Sequence, residues 1–330
     1  MMWSSDQTIP ETYSAWVRGS GGKPEELHLE DLPLPQPERG CALIANDVIG
    51  LNPVDWKLLG NASPGHTPGC DGAGRVIAVG ENVPKAWIGQ RVAYHTSLGR
   101  PGSFAELTPV PVRALMRVPP ELDLFTAATM PCPALTAWQA VHKIPDRKDA
   151  EILISGAGGA VGLYALQFAR ARGFSASVIC GQRHHLRMKW MGAEGVFTTA
   201  DDVVTEGLKH QFHAVIDTAG AEVAQQLAPC LKANGHLVCV LGRVEQWPSD
   251  PFSQTWSLHE VALGALHNFG DDRDWADLTR AGETILTELA EEKIIGEDVV
   301  IKPFSELPHH LEALRVRSFN GKALVRVSNG

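Results

Sequence analysis

Apolar and polar positions alternate in short runs over the first third of the chain, and Gly and Pro break the runs apart. Tyr13–Val17, Cys41–Leu51, Gly74–Val79, Val92–Tyr94 and Phe104–Val110 read as strands, so residues 1–125 are expected to form a mainly β unit with irregular loops. Past residue 125 the pattern changes. Glu151–Ser155 is a short apolar run suited to a strand buried on both faces, and after a glycine cluster the apolar residues of Leu163–Gly173 recur at helical spacing. Ala176–Cys180, a helix near 183–191, Val196–Thr198, Ala214–Asp217, a helix from Ala221 and His236–Leu241 continue the alternation. Strand and helix in turn predict a doubly wound parallel sheet across 126–268. The tail, 269–330, carries an amphipathic helix near 273–291, a strand at Val299–Ile301, a helix near 305–316 and a strand at Ala323–Val327. The expected fold class is therefore α/β, a mainly β unit beside a parallel-sheet unit.

Composition narrows the function. At 330 residues the chain has the length of about two domains. Lys+Arg 29 against Asp+Glu 38 leave a formal charge of −9, which gathers no polyanion, so nucleic acid is excluded as an expected partner. No window holds the ~18 unbroken apolar residues of a membrane span. Met1–Pro10 lacks the basic start and apolar core of a signal peptide, and the six cysteines are scattered without a CxxC pair. Both point to a reducing, cytoplasmic setting.

The sharpest local motif is Ala157-Gly158-Gly159-Ala160-Val161-Gly162, between the first strand and first helix of the alternating region. Glycines there let the backbone turn and approach a pyrophosphate, and the helix N-terminus supplies N–H groups and a favourable dipole. A dinucleotide site for NAD places Asp or Glu at the end of the second strand. Here no acidic residue occurs between Glu151 and Glu194, and the strand end reads Gly181-Gln182-Arg183-His184-His185. Cations and donors suit a 2′-phosphate, so NADP(H) is the expected cofactor. A solvated basic helix face is the plainer account of the same residues.

Further motifs fall in a fixed order: Asn52-Pro-Val-Asp55-Trp-Lys, Pro68-Gly-Cys-Asp-Gly-Ala-Gly74, Val79-Gly-Glu-Asn-Val83, Gly89-Gln-Arg-Val92, Gly102-Ser-Phe-Ala-Glu106, Leu135-Thr-Ala-Trp138, the glycine loop, Asp217-Thr-Ala-Gly220 and Gly321-Lys322. Taken together, they make the chain similar to the medium-chain dehydrogenase/reductase superfamily, and within it to the zinc-free, quinone oxidoreductase-like branch. The resemblance implies a GroES-like catalytic domain from 1–125 and 269–330 around a Rossmann NADP(H)-binding domain at 126–268, with the active site in the cleft between them. It places Thr136 on the nicotinamide side, Asp217, Gly220, Leu241 and Gly242 along the strand ends, and Lys322 as a second contact to the phosphate-bearing ribose. Each of these also reads as a turn residue.

The resemblance raises zinc, and the residues argue against it. The four-cysteine lobe of zinc-dependent relatives is absent: 94–110 holds no cysteine. Asn52 stands where the first catalytic ligand would be, Cys70-Asp71 where His-Glu would be, and Cys132 at the third position. Asn is a weak zinc ligand, so no metal is expected, although two thiols and a carboxylate, with His66 or His95 nearby in sequence, form an alternative set. Without a Lewis acid, hydride goes to an acceptor that delocalises charge, a small quinone or α,β-unsaturated carbonyl. Asn52 and Tyr94 are the expected catalytic donors, and Asp55 reads as a cap on the turn after Asn52. A zinc alcohol dehydrogenase and a non-catalytic NADPH-binding relative are the alternative functions. A homodimer is expected, because Val261–Leu266 is a mostly apolar run where the family places its edge strand.

Overall fold

Alternating burial sets the start of the chain. In a computed structural model that describes residues 11–327, β1 (Thr12–Arg18) buries Tyr13, Ala15 and Val17 and pairs antiparallel with β2 (Leu27–Pro33). The N-terminal expectation drawn from Met1–Pro10 lies outside the described residues. β3 (Cys41–Gly50) is buried along most of its length because it has neighbours on both sides. β4 (Asp71–Val79) takes one side; β6 (Leu107–Pro111) takes the start of the other and β15 (Lys322–Arg326) its end. α1 (Pro53–Lys57) follows β3, β5 (Arg91–His95) pairs with β4, and β7 (Leu115–Arg117) pairs with β5. α2 (Leu124–Thr129), capped by Asp123, leads into α3 (Pro131–His142).

Next come β8 (Glu151–Ser155), α4 (Ala160–Ala171), β9 (Ser175–Ile179), α5 (His185–Trp190), β10 (Val196–Phe197), α6 (Ala200–Thr205), β11 (Phe212–Asp217), α7 (Ala221–Leu227), β12 (Leu231–Cys239) and β13 (Ser257–Glu260). Their six strands form one all-parallel sheet in the order β10-β9-β8-β11-β12-β13. Its central strands are sealed on both faces, with Leu153, Val215 and Leu237 fully buried, as parallel sheets require. The tail holds α8 (Leu266–Phe269), α9 (Asp272–Ala290), β14 (Val299–Pro303) and α10 (Leu307–Arg315). α9 starts at an Asp271/Asp274 capping box and buries Trp275, Leu278, Ile285, Leu286 and Leu289 at helical spacing.

The chain divides into two units, residues up to Cys132 with those from Gly264 onward, and Pro133–Leu263. The first division falls later than the expected 125/126, because α2 packs on β3 and β4 and so stays with the β unit. The second falls earlier than 268/269. The expected edge strand at Val261–Leu266 is corrected: residues 263–265 turn, Leu263 is buried within its own chain, and the edge is β13, Ser257-Leu-His-Glu260. A short edge strand with a His and a Glu resists uncontrolled pairing better than an apolar one. Among the described residues no helix is long and apolar enough to cross a membrane.

Candidate active site

In the parallel-sheet unit, the glycine loop joins β8 to α4. A Cβ on Gly158 would sit 2.5 Å from the His184 ring, and one on Gly162 would sit 2.5 Å from the Ala157 Cα. The loop therefore packs against the end of β9 on one side and its own helix on the other, and side chains at these two positions would spread it. Gly159 caps α4 without a side-chain acceptor, which leaves the first N–H groups of the helix for a ligand. Ala160 and Val161 are half-buried in that first turn, and Ala157 is fully buried.

Gly181 and Arg183 are exposed at the end of β9, and the Arg183 Nε donates to His184 Nε2 at 2.9 Å. Burial, then Arg183, Arg187 and His185, push the His184 pKa below its ordinary value. His185 turns its Nε2 toward the Cys180 carbonyl at 3.2 Å. Leu241 is exposed, Gly242 half-buried, and Thr136 buried on α3. This loop, its helix N-terminus and an acid-free basic strand end suit a nicotinamide dinucleotide. Asp217 is a correction. Its carboxylate is fully buried, accepts from Ser155 Oγ and from the N–H groups of Ala219 and Gly220, and so shapes its own turn rather than facing a cofactor. Burial raises its pKa.

In the β unit, strand register builds a second group. Asp71, the first residue of β4, lies opposite Gly50 of β3 and His95 of β5. Its carboxylate is fully buried. Oδ1 pairs with His95 Nδ1 at 2.9 Å, while Oδ2 accepts from Asn52 Nδ2 at 2.9 Å and from the Cys132 N–H at 2.8 Å. Cys70 is fully buried, with Asn52 Nδ2 3.5 Å from its sulfur. Burial, and then a hydrogen bond with Cys132, push the Cys70 thiol well up. Burial opposes charge on His95, but the Asp71 hydrogen bond and charge outweigh it and raise the pKa. One ligand-type atom from each of Cys70, Asp71, His95 and Cys132 lies within 4.8 Å of every other. His66 is not in that group. His267, which the sequence reading passed over, stands 5.6 Å from His95, ring centre to ring centre.

Three expected roles change. Tyr94 is fully buried and its hydroxyl donates to Asn46 Oδ1 at 2.8 Å, which removes it as a donor to substrate; burial raises its pKa. Asn52 is buried, with its amide N–H groups directed at Gly50 O and Asp71 and its oxygen held by Lys322 Nζ, so it is a positioning residue. Lys322, expected at a ribose, is itself buried on Asn52. Asp55 does cap the start of α1, accepting from the Asn52 N–H at 2.7 Å.

Residues 38–120 match the alcohol dehydrogenase GroES-like domain family, and residues 160–280 match the zinc-binding dehydrogenase family. A quinone oxidoreductase of Lama guanicoe is 33% identical over 258 residues, 73% of this chain and 77% of that protein. A trans-enoyl reductase of Aspergillus terreus is 29% identical over 236 residues; the match spans 64% of this chain and 66% of that relative, just under two thirds of its length. The solved quinone oxidoreductase of Coxiella burnetii shares the fold with a TM-score of 0.79, at 23% identity, over 96% of this chain and 100% of that one.

Zinc, named in the second family description, can be judged on donor chemistry. Two thiols, an imidazole and a carboxylate gathered in a largely buried cluster are a zinc-type set, so these four residues fit the ion, with His95 present and the Asn52 oxygen held by Lys322.

Proposed function

The chain belongs to the medium-chain dehydrogenase/reductase superfamily, and on that premise we propose that it transfers hydride from NADPH to a small quinone or α,β-unsaturated carbonyl, with no metal ion at the reacting oxygen. The observation that carries the reading is the loop around Gly158. It packs on His184 at the end of a strand that offers Arg183, His184 and His185 and no carboxylate. The α4 N-terminus would take the pyrophosphate, and the basic strand end the 2′-phosphate. Bound NADPH supplies the hydride. The acceptor spreads the incoming charge over its own conjugated system, so the protein's share is to hold both reactants in line. The names of the relatives, quinone oxidoreductase and trans-enoyl reductase, support this acceptor class.

We extend the reading to a cytoplasmic homodimer. Six unpaired cysteines favour a reducing compartment, and β13 pairs only with β12 among the described residues, leaving a free edge. Light scattering at micromolar concentration should give twice the chain mass; a monomer would remove the dimer from the reading. For the reaction, the test is a panel of quinones and enals with NADPH and with NADH, with and without a chelator. Turnover with NADPH that persists in chelator is expected.

The zinc-type donor group favours one second reading, a zinc alcohol dehydrogenase. Oxidation of alcohols that disappears with chelator and returns with zinc would establish it. In that case Cys70, Cys132 and His95 would hold the ion, and it would polarise the substrate oxygen.

A further inference from the structure

We propose that His184 is a positioning residue that latches Arg183 to the glycine loop and takes up a proton at Nε2 when the 2′-phosphate of NADPH binds, so that discrimination against NADH grows as pH falls. The inference rests on the cofactor reading above and deepens it: selection comes from a switchable pair of side chains, not from standing positive charge.

The first observation is where the ring sits. The Ala157 N–H donates to the Ile179 carbonyl at 3.0 Å, which ties the glycine loop to the end of β9. The His184 N–H donates to the Gly181 carbonyl at 2.8 Å, which closes a single turn just beyond that strand. The imidazole lies half-buried on the loop with its Cδ2–Nε2 edge inward: a Cβ on Gly158 would stand 2.5 Å from Cδ2 and 3.0 Å from Nε2. A larger residue at 158 would push the ring off the loop.

The second observation is the bond that Nε2 makes. Arg183 Nε donates to it at 2.9 Å. A guanidinium has donors only and stays charged, so Nε2 presents its lone pair and the neutral ring carries its proton on Nδ1. An imidazolium has an N–H at both nitrogens and accepts nothing. The pair therefore has two exclusive states. In one, neutral His184 holds the guanidinium beside the loop. In the other, the ring has gained a proton from solvent, the Arg183–His184 bond is broken, and two adjacent cations stand free to donate. An anion between them stabilises that second state. A 2′-phosphate offers three acceptor oxygens, enough for both donors. The 2′-hydroxyl of NADH brings no charge and leaves the first state in place.

The surroundings favour the neutral ring until an anion arrives. Burial, then Arg183, Arg187 and His185, hold the His184 pKa below its ordinary value. The glycine loop, 156–162, adds no charged side chain. His185 is directed elsewhere, its Nε2 3.2 Å from the Cys180 carbonyl and 3.4 Å from Thr198 Oγ1. Asp202 of α6 acts on His185, and its carboxylate is taken by the N–H groups of Thr198 and Thr199.

The test is calorimetric titration of the full chain with NADPH and with NADH, at about pH 7.5, in two buffers of different ionisation enthalpy. NADPH should bind with uptake of about half a proton or more, and NADH with none. The sign is diagnostic, because the phosphate, with a second pKa of about 6, can only lose protons when cations approach it. Between about pH 8 and pH 7 the NADPH-to-NADH affinity ratio should rise roughly three- to tenfold, as linkage to that uptake requires. His184→Gln should abolish the uptake and flatten the ratio against pH. Should that variant fail to fold, the wild-type comparison of the two cofactors decides alone. Tighter binding of NADPH than NADH without proton uptake would overturn the latch and leave the cofactor reading standing. Uptake that persists in His184→Gln and disappears in His185→Gln would assign the proton to the neighbour and overturn it as well. Equal affinities for NADPH and NADH would overturn the cofactor reading itself, and the latch with it.

Discussion

The glycine loop of the parallel-sheet unit and the four-donor group of the β unit are assembled in opposite ways. The loop is six consecutive residues whose neighbours in space are mostly neighbours in sequence; from farther off, the Ile179 carbonyl accepts from the Ala157 N–H at 3.0 Å and His184 packs on Gly158, both at the end of the adjacent strand. The donor group is drawn from the start of β4, the end of β5 and the start of α3, and is braced by Asn52 before α1 and Lys322 on β15. The first depends on the missing side chains of two glycines, Gly158 and Gly162. The second depends on sheet register and on one buried carboxylate that serves three donors. The histidines divide in the same manner: His95 gains a carboxylate and its pKa rises, whereas His236 lies between His213 and His259 and its pKa falls to about 4.

If that contrast is right, substitutions in the two regions should have separable effects. The largest is expected for Asp71→Ala. It strips the partner from Asn52 Nδ2, His95 Nδ1 and the Cys132 N–H in a fully buried setting, and breaking such a pair costs about 3–5 kcal/mol. Denaturant titration should show that loss, and a change under about 1 kcal/mol would mean that the carboxylate is not the hub. Gly162→Val comes next. Its side chain would collide with the Ala157 backbone, so ~1–3 kcal/mol of overpacking is expected, with NADPH binding weakened at least tenfold. Unchanged NADPH affinity in fluorescence titration would contradict the loop's role.

A smaller and more selective effect is expected from Arg183→Asp. It should weaken NADPH by about tenfold, roughly 1.4 kcal/mol, and leave NADH nearly untouched. Equal losses for both would assign Arg183 a general rather than a 2′-phosphate role.

The smallest effect is on acid stability. The His236 pKa is held down by burial first and then by His213 and His259; Lys143 acts on His259, and Arg147 and Lys232 act on His213. The unfolded chain binds a proton near pH 6.5 and the folded one only near pH 4, so stability falls as pH drops through that window and levels off below it. His236→Asn should flatten this limb of the urea-midpoint profile against pH. An unaltered slope would mean that the imidazole is already solvated.

Local signals were legible in the sequence and long-range ones were not. The strand–loop–helix of 151–171 could be read directly, because its periodicity and its glycines are contiguous. The amide of Asn52 was misread as a substrate donor because its orientation is set by Lys322, 270 positions away. His95 was noted only as near in sequence; its place beside Asp71 follows from β4–β5 register, which alternation alone leaves open. Tyr94 reads as a reactive phenol until Asn46 is found in hydrogen-bond reach. The apolar run Val261–Leu266 resembled an edge strand, but residues 263–265 turn and Leu263 packs inward, so the edge passed to the more polar Ser257–Glu260.

The central claim is NADPH-dependent reduction of a conjugated acceptor, and the most direct measurement is the initial rate of NADPH oxidation with a quinone and an enal, set against the rate with NADH at equal concentration. The account predicts turnover with at least one of these acceptors and at least about a tenfold preference for NADPH in kcat/KM. No cofactor oxidation with either acceptor, or equal use of NADH, would contradict it.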